Sequence, residues 1–295
     1  MPEERSVPKA IGLMCCAGLF FGISSALIKG AGAGLPTFEV TFFRSGVGFL
    51  ILLCMFLFRH PRVSLGKRKW LLFWRAILGT VATITYVWGI GHIDLGLANG
   101  LNQTSPIFVC LFAAIFLGER FGWQTYLCVF LAFIGILLIV APDLNKIHVE
   151  SLVALFSGIV SASAYTIVRT LQKTETTETV VFWFLGIATF SSLLFYPVET
   201  WEMPSVLCLC GLLLAGLVAF GGQMLMTRAY HFAEATIVAP FIYVSTISSL
   251  FIAFFVWGEL PGGVALTGCA IVIVASVVEG LFSRRRLNGG EEAVR

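Results

Sequence analysis

A chain of 295 residues that is 58% hydrophobic and 12% charged, with a mean hydropathy of +0.94, is not a soluble globular domain, where roughly a quarter of the residues carry charge. Its net charge of +3 is too small to suggest a nucleic-acid partner, and no basic patch is interleaved with aromatics. Long apolar runs separated by short charged connections describe an all-α polytopic membrane protein whose first partner is the lipid bilayer.

A spanning helix needs about 20 mainly apolar residues. The runs that meet this are 10–31, 37–58, 70–91, 95–117, 122–140, 150–170, 178–198, 204–227, 234–257 and 262–282. The first is too long for a signal-peptide core and reads as an uncleaved helix; it carries Ser24 and Ser25 ahead of Lys29. The second holds Arg44, where a mid-membrane charge costs about 2.5–3.5 kcal/mol on insertion scales. That arginine therefore faces protein or a cavity, either holding a substrate carboxylate or phosphate or bracing backbone carbonyls. The third run contributes Thr83, Tyr86 and Trp88.

The fourth run contains the most polar cluster of the apolar region, GLANGLNQTSPIF (residues 96–108). In a continuous helix Asn99, Asn102, Gln103 and Pro106 follow i, i+3, i+4, i+7 spacing and share one face. A rise of 1.5 Å per residue puts Asn102 and Gln103 roughly 10–12 Å into the membrane. Pro106 frees the carbonyl of Asn102. The cluster reads as the wall of a watery cavity; the alternative is interhelical glue, worth about 0.6 kcal/mol per amide. Further along lie Ser161, Ser163, Tyr165 and Arg169 in the sixth run, Gln223 in the eighth, and Tyr243, Ser245 and Ser248 in the ninth. Tyrosines and Trp88 suit a flat or aromatic substrate; packing is the alternative for each.

Basic residues give the orientation. Arg5, Lys9, Arg59, Arg62, Lys67, Arg68, Lys69, Arg120, Arg169, Lys173, Arg228 and Arg284 to Arg286 fall on the side of the N-terminus and the even-numbered connections; Lys29 and Lys146 fall on the other. Both termini are expected in the cytoplasm. The eight cysteines lie in apolar runs without metal-ligand neighbours and read as small hydrophobes, so neither a metal site nor a cofactor is expected.

Sliding the chain by 140 positions superimposes Gly118-Glu119 on Gly258-Glu259, Gly18 on Gly158, Lys29 on Arg169 and Gly46 on Gly186. Two repeats follow, 1–145 and 146–295, of five helices each. Five is odd, so the second half enters the membrane inverted, the arrangement of carriers that work by alternating access. The repeat pairs charged residues at helix ends: Lys29 with Glu259 on the outer side, Arg169 with Glu119 on the inner. These are expected to be alternating gate contacts; snorkelling to the interface is the alternative.

Phe42-Phe43-Arg44, Leu117-Gly118-Glu119-Arg120, Trp257-Gly258-Glu259 and the Ser105-Pro106 stretch, in this order across the chain, resemble EamA-type carriers of the drug/metabolite transporter superfamily. The resemblance implies a central cavity between two halves. The second repeat departs from the pattern, with Phe184 at the Arg44 position and Leu260 at the Arg120 position. The expected function is a secondary transporter of the cell (inner) membrane for a small organic metabolite, amino-acid-like or nucleoside- or cofactor-like and possible to stack. Asn99, Asn102, Gln103, Tyr86, Trp88, Tyr165, Gln223, Tyr243, Ser24 and Arg44 are the candidate substrate residues. The alternatives are a membrane-embedded enzyme and a non-transporting receptor or scaffold. The first is disfavoured because His60, His92, His148 and His231 lie at span ends or in connections, with no paired nucleophile or base. A homodimer is left open.

Overall fold

The computed structural model describes residues 6–58, 62–117, 123–140, 148–195, 201, 203–233, 238–259 and 262–292. Its helices are α1 (Val7–Ala31), α2 (Thr37–Leu57), α3 (Lys69–His92), α4 (Leu95–Asn102), α5 (Ser105–Leu117), α6 (Trp123–Val140), α7 (Val149–Leu171), α8 (Thr177–Leu194) and α9 (Val206–Phe232). A 3₁₀ turn (Ala239–Tyr243) then leads into α10 (Val244–Trp257), and α11 (Gly263–Glu292) follows. Among the described residues, α1, α2, α3, α7, α8 and α9 are long and apolar enough to cross a membrane. The chain is a multi-pass membrane protein. Large apolar side chains such as Leu50, Phe130 and Phe251 point outward, as lipid requires. Trp70 and Trp123, exposed at helix starts, sit where amphipathic rings favour the interface.

The principal packing pairs join distant parts of the chain. Helix α1 packs on α9 and α10, α3 on α7 and α8, α2 on α8 and α9, and α6 on α11. Helix α7 packs on α4 and α5.

The expected continuous helix over 95–117 is instead two helices broken at Gln103–Thr104. Pro106 supplies the reason: it has no N–H for the carbonyl of Asn102, and its ring crowds that carbonyl. Thr104 re-satisfies part of the broken turn, its hydroxyl donating to the Leu101 carbonyl at 2.8 Å and its N–H to the same oxygen at 3.2 Å. The ninth span is broken too, by the 3₁₀ turn around Pro240. Broken backbone is tolerated at membrane depth only when protein covers it, and here a glycine from a neighbouring helix does so at each break. A Cβ on Gly158 of α7 would lie 2.7–2.8 Å from Thr104 Oγ1 and the carbonyls of Leu101 and Asn102. A Cβ on Gly18 of α1 would lie 3.0–3.2 Å from Ser245 N, Val244 Cβ and the Ile242 carbonyl. The carbonyl freed by Pro106 thus meets α7.

Gly158→Ala forces backbone apart where no flexible side chain can yield, and overpacking of this kind costs about 1–3 kcal/mol. A thermal melt of the purified variant in detergent is expected to fall by several degrees. Gly12→Ala, with nothing within 4 Å of its added Cβ, is the matched control and is expected to melt like the parent.

Candidate substrate cavity

Between the helices lies a central cavity of about 60 Å³, several times what one water needs. The amide cluster forms one wall. Asn99, 1% exposed, accepts at Oδ1 from the Tyr86 hydroxyl and, at 3.4 Å, from Ser245 Oγ; its Nδ2 donates to the Leu95 carbonyl at 3.3 Å. Ser25 Oγ is 2.6 Å from the Tyr86 hydroxyl, so one residue of α4 ties together α1, α3 and α10. Asn102 Nδ2 donates to Ser157 Oγ on α7 at 2.8 Å. Gln103 Nε2, at the break of the fourth span, donates to the carbonyl of Ile242 in the break of the ninth at 3.5 Å.

Two arginines supply the charge. Arg44 lines the cavity from α2 and Arg75 from α3. Arg75 is 1% exposed, and its guanidinium lies 4.3 Å from the ring centroid of Phe184. Its Nε and Nη1, and Nε of Arg44, are buried without a hydrogen-bond partner. Tyr165 is within electrostatic reach of both guanidiniums, and its ring centroid is 6.0 Å from that of Tyr230.

Of the candidate residues, Asn99, Asn102, Gln103, Tyr86, Tyr165, Gln223 and Arg44 line this cavity. Three are elsewhere. Ser24 Oγ donates to the Ala215 carbonyl of α9 at 2.9 Å, an interhelical bond. Trp88 stacks on His92, with ring centroids 4.0 Å apart. Tyr243 is 3% exposed and packs with Leu101, Ile107 and Ala132. Sequence reasoning missed Arg75. Its signal was the one that marked Arg44, a lone charge inside an apolar run, but it follows the basic group Lys67-Arg68-Lys69 and passes for one more interfacial cation.

Lys29 and Glu259, expected as one of the two gate pairs, are in contact. Lys29 Nζ lies 2.6 Å from both Glu259 carboxylate oxygens, and the side chains are 17% and 24% exposed. Gly258, at φ 68°, ends α10 in a left-handed cap: its N–H bonds Phe254 and that of Glu259 bonds Ala253. This glycine turn directs the following carboxylate to Lys29 and, at 3.4 Å, to the N–H of Leu95 at the start of α4. In the other pair, Glu119 lies outside the described residues.

Across the molecule, the segment before α8 grips the segment before α3. Glu175 Oε1 accepts from the N–H groups of Lys67 and Arg68, both at 2.7 Å, the Thr176 hydroxyl donates to the Arg62 carbonyl, and Trp183 Nε1 donates to the Leu65 carbonyl at 3.2 Å. Arg68, the residue before α3, has no side-chain cap of its own; the Glu175 carboxylate instead fixes the two N–H groups just ahead of the helix, near its positive end. Glu175→Ala is expected to cost about 1 kcal/mol, read as a lower melting temperature, with Glu175→Gln retaining part of it.

Apolar spanning helices around a buried polar cavity, with an ion pair and hydrogen bonds at the helix ends, are the layout of a membrane transporter. The chain matches the EamA-like transporter family over residues 8–141 and again over 149–279, and it belongs to that family, within the drug/metabolite transporter superfamily. It is 34% identical over 270 residues to the pseudopaline exporter CntI of Pseudomonas aeruginosa, covering 90% of this chain and 93% of that protein. It is 27% identical to the riboflavin transporter of Rhizobium johnstonii, covering 90% and 88%, and 23% identical to the S-adenosylmethionine uptake transporter of Rickettsia bellii, covering 86% and 87%. A protein of known crystal structure, 17% identical, superimposes with a TM-score of 0.70 over 95% of this chain and 99% of the other, a likeness of fold.

Proposed function

We propose that this protein is a secondary carrier of the cell membrane that moves a small organic metabolite by alternating access. It has ten spans in two inverted halves, 1–145 and 146–295, with both termini in the cytoplasm. The observation that carries the reading is the packing itself. Exchanging the halves turns the α1–α9 pair into α7–α3, α1–α10 into α7 on α4 and α5, and α2–α9 into α8–α3; α2–α8 and α6–α11 map onto themselves. The glycines that cover the two span breaks, Gly18 and Gly158, are also repeat mates. A bundle whose contacts survive the exchange supports two nearly equal states of opposite access. Lys29–Glu259 latches one end; the Glu175 grip on α3 latches the other.

The substrate class follows from the wall. Amides, tyrosines and two arginines suit an organic molecule with both polar and flat parts, and the relatives named for pseudopaline, riboflavin and S-adenosylmethionine support that range. Among the described residues no carboxylate lines the cavity, which favours exchange or facilitated flux over coupling through a buried acid. The test is counterflow in proteoliposomes of the purified full chain with labelled riboflavin, S-adenosylmethionine and carboxylate-bearing amino-acid conjugates. Saturable exchange of at least one class, lost in Glu259→Lys, is expected. A complete lack of saturable flux in vesicles holding folded protein would refute the carrier reading.

A further inference from the structure

We propose that the cargo is an organic dianion whose two carboxylates, at separate ends of the molecule, are held by Arg44 and Arg75. The proposal rests on the carrier reading above and specifies what that cavity takes. Three guanidinium N–H positions, on Arg44 Nε and on Arg75 Nε and Nη1, are buried without hydrogen bonds. Both side chains line one cavity. A buried ion left without a partner costs several kcal/mol, and intramembrane charges are retained where they face a cavity or meet a ligand. Structural bracing would saturate these donors with carbonyls. They are unsaturated, and among the described residues the cavity wall brings no carboxylate to either.

The spacing separates one dianion from another. Helices α2 and α3 are consecutive and antiparallel, so Arg44 enters from the outer half and Arg75 from the inner. Arg44 is thirteen residues before the end of α2 and Arg75 six after the start of α3, an offset of seven residues or roughly 10 Å at 1.5 Å per residue. A single doubly charged phosphate reaches one arginine; two carboxylates on a chain reach both. Planar guanidinium forks suit carboxylates. Tyr86, Asn102 and Gln103 line the same cavity and offer polar groups to the neutral part of such a molecule.

Asymmetry points the same way. Arg44 has Phe184 as its repeat mate, and Arg75 rests on the face of that phenylalanine. The second half thus recovers a cation at its equivalent site from a different helix. An aromatic face stabilises a cation without consuming its hydrogen-bond donors, so Arg75 stays available to an anion.

The test is thermal stability of the full chain in detergent against a matched series with carboxyls at the two ends of one chain: suberate (octanedioate), its monoamide, and the neutral diamide. A ligand stabilises by mass action. The dicarboxylate is expected to raise the melting temperature, the monoamide to bind at least tenfold more weakly, and the diamide to have no effect. In Arg44→Met and Arg75→Met the dicarboxylate falls to the affinity of the monoamide, while the ligand-free variants melt at or above the parent temperature, because an unpaired buried charge has been removed. Should Arg75→Met fail to fold, Arg75→Lys keeps the charge without the fork, and reduced but measurable dicarboxylate binding is expected. Stabilisation by the diamide equal to that by the dicarboxylate, no response to the dicarboxylate, or arginine variants that lose intrinsic stability yet keep dicarboxylate affinity would each overturn the proposal. Counterflow of neutral solutes alone overturns the dianion and leaves the carrier; selective dicarboxylate binding without flux overturns the carrier and leaves the binding site.

Discussion

Glu259→Lys is expected to reduce transport to background, and the exchanged pair Lys29→Glu/Glu259→Lys to recover about a tenth or more of it. The contact is bidentate at 2.6 Å and only partly exposed, between the surface limit of roughly 0–1 kcal/mol and the buried limit of about 3–5 kcal/mol for a broken pair. A loss near 2 kcal/mol moves the balance between open and closed by more than tenfold, since 1.4 kcal/mol is a factor of ten. Two like charges at this distance add repulsion and hold the end open. The swap restores attraction but not every bond, because the Leu95 N–H that now donates to Glu259 would face an ammonium. Counterflow of the two single variants and the double, at equal protein per vesicle, is the measurement. Singles that transport like the parent would make the pair a surface ornament.

The amides are expected to divide into two kinds. Asn99 is the most fully bonded of the three: two hydroxyls donate to its oxygen and one N–H of its amide bonds Leu95. Asn99→Leu therefore leaves the Tyr86 and Ser245 hydroxyls without their acceptor, and a buried orphan costs about 1–3 kcal/mol each. A clear drop in melting temperature is expected, with transport lost in consequence. Asn102 and Gln103 each make one bond across to a neighbouring element, the latter long, and keep capacity for a ligand. Asn102→Leu and Gln103→Leu are expected to melt within a few degrees of the parent while changing which solutes exchange. Glue and wall, posed as alternatives for the whole cluster, are then separate roles for neighbours three residues apart. Equal stability losses at all three positions would make the cluster glue throughout.

Much of this was legible in the residues. Helix starts follow from apolar length: the described helices begin within a few residues of the expected runs, except that the fourth and ninth runs are each divided, so that α5 begins at Ser105 and α10 at Val244. The Lys29–Glu259 contact follows from one constant offset of 140, because a repeat turns two distant helix ends into a pair. The break at Gln103–Thr104 was only half visible. Pro106 announced a lost hydrogen bond, yet whether a helix bends or parts depends on what stands beside it, and that is Gly158, fifty-two positions away. Tyr243 shows the opposite failure. Its aromatic ring and polar tip suggested the cavity, but at the end of the 3₁₀ turn it is buried in a cluster with Leu101, a placement that no 3.6-residue periodicity could indicate. Arg75 was hidden by its neighbours in sequence, and only its partnerless burial distinguishes it from them.

In the proposed cycle, with the proposed dianion as cargo, the two guanidiniums that line the cavity also make transport sensitive to voltage. The membrane potential acts on charge at about 2.3 kcal/mol per elementary charge per 100 mV for full passage. An empty carrier, holding two positive charges inside the bundle, experiences that field across whichever end is sealed. Loaded with a dianion, the same cavity is electrically neutral and largely indifferent to it. The resting potential therefore bears on the return of the empty protein and spares the loaded stroke, so Arg75 on its phenylalanine face ties the rate of the cycle to the energised state of the cell.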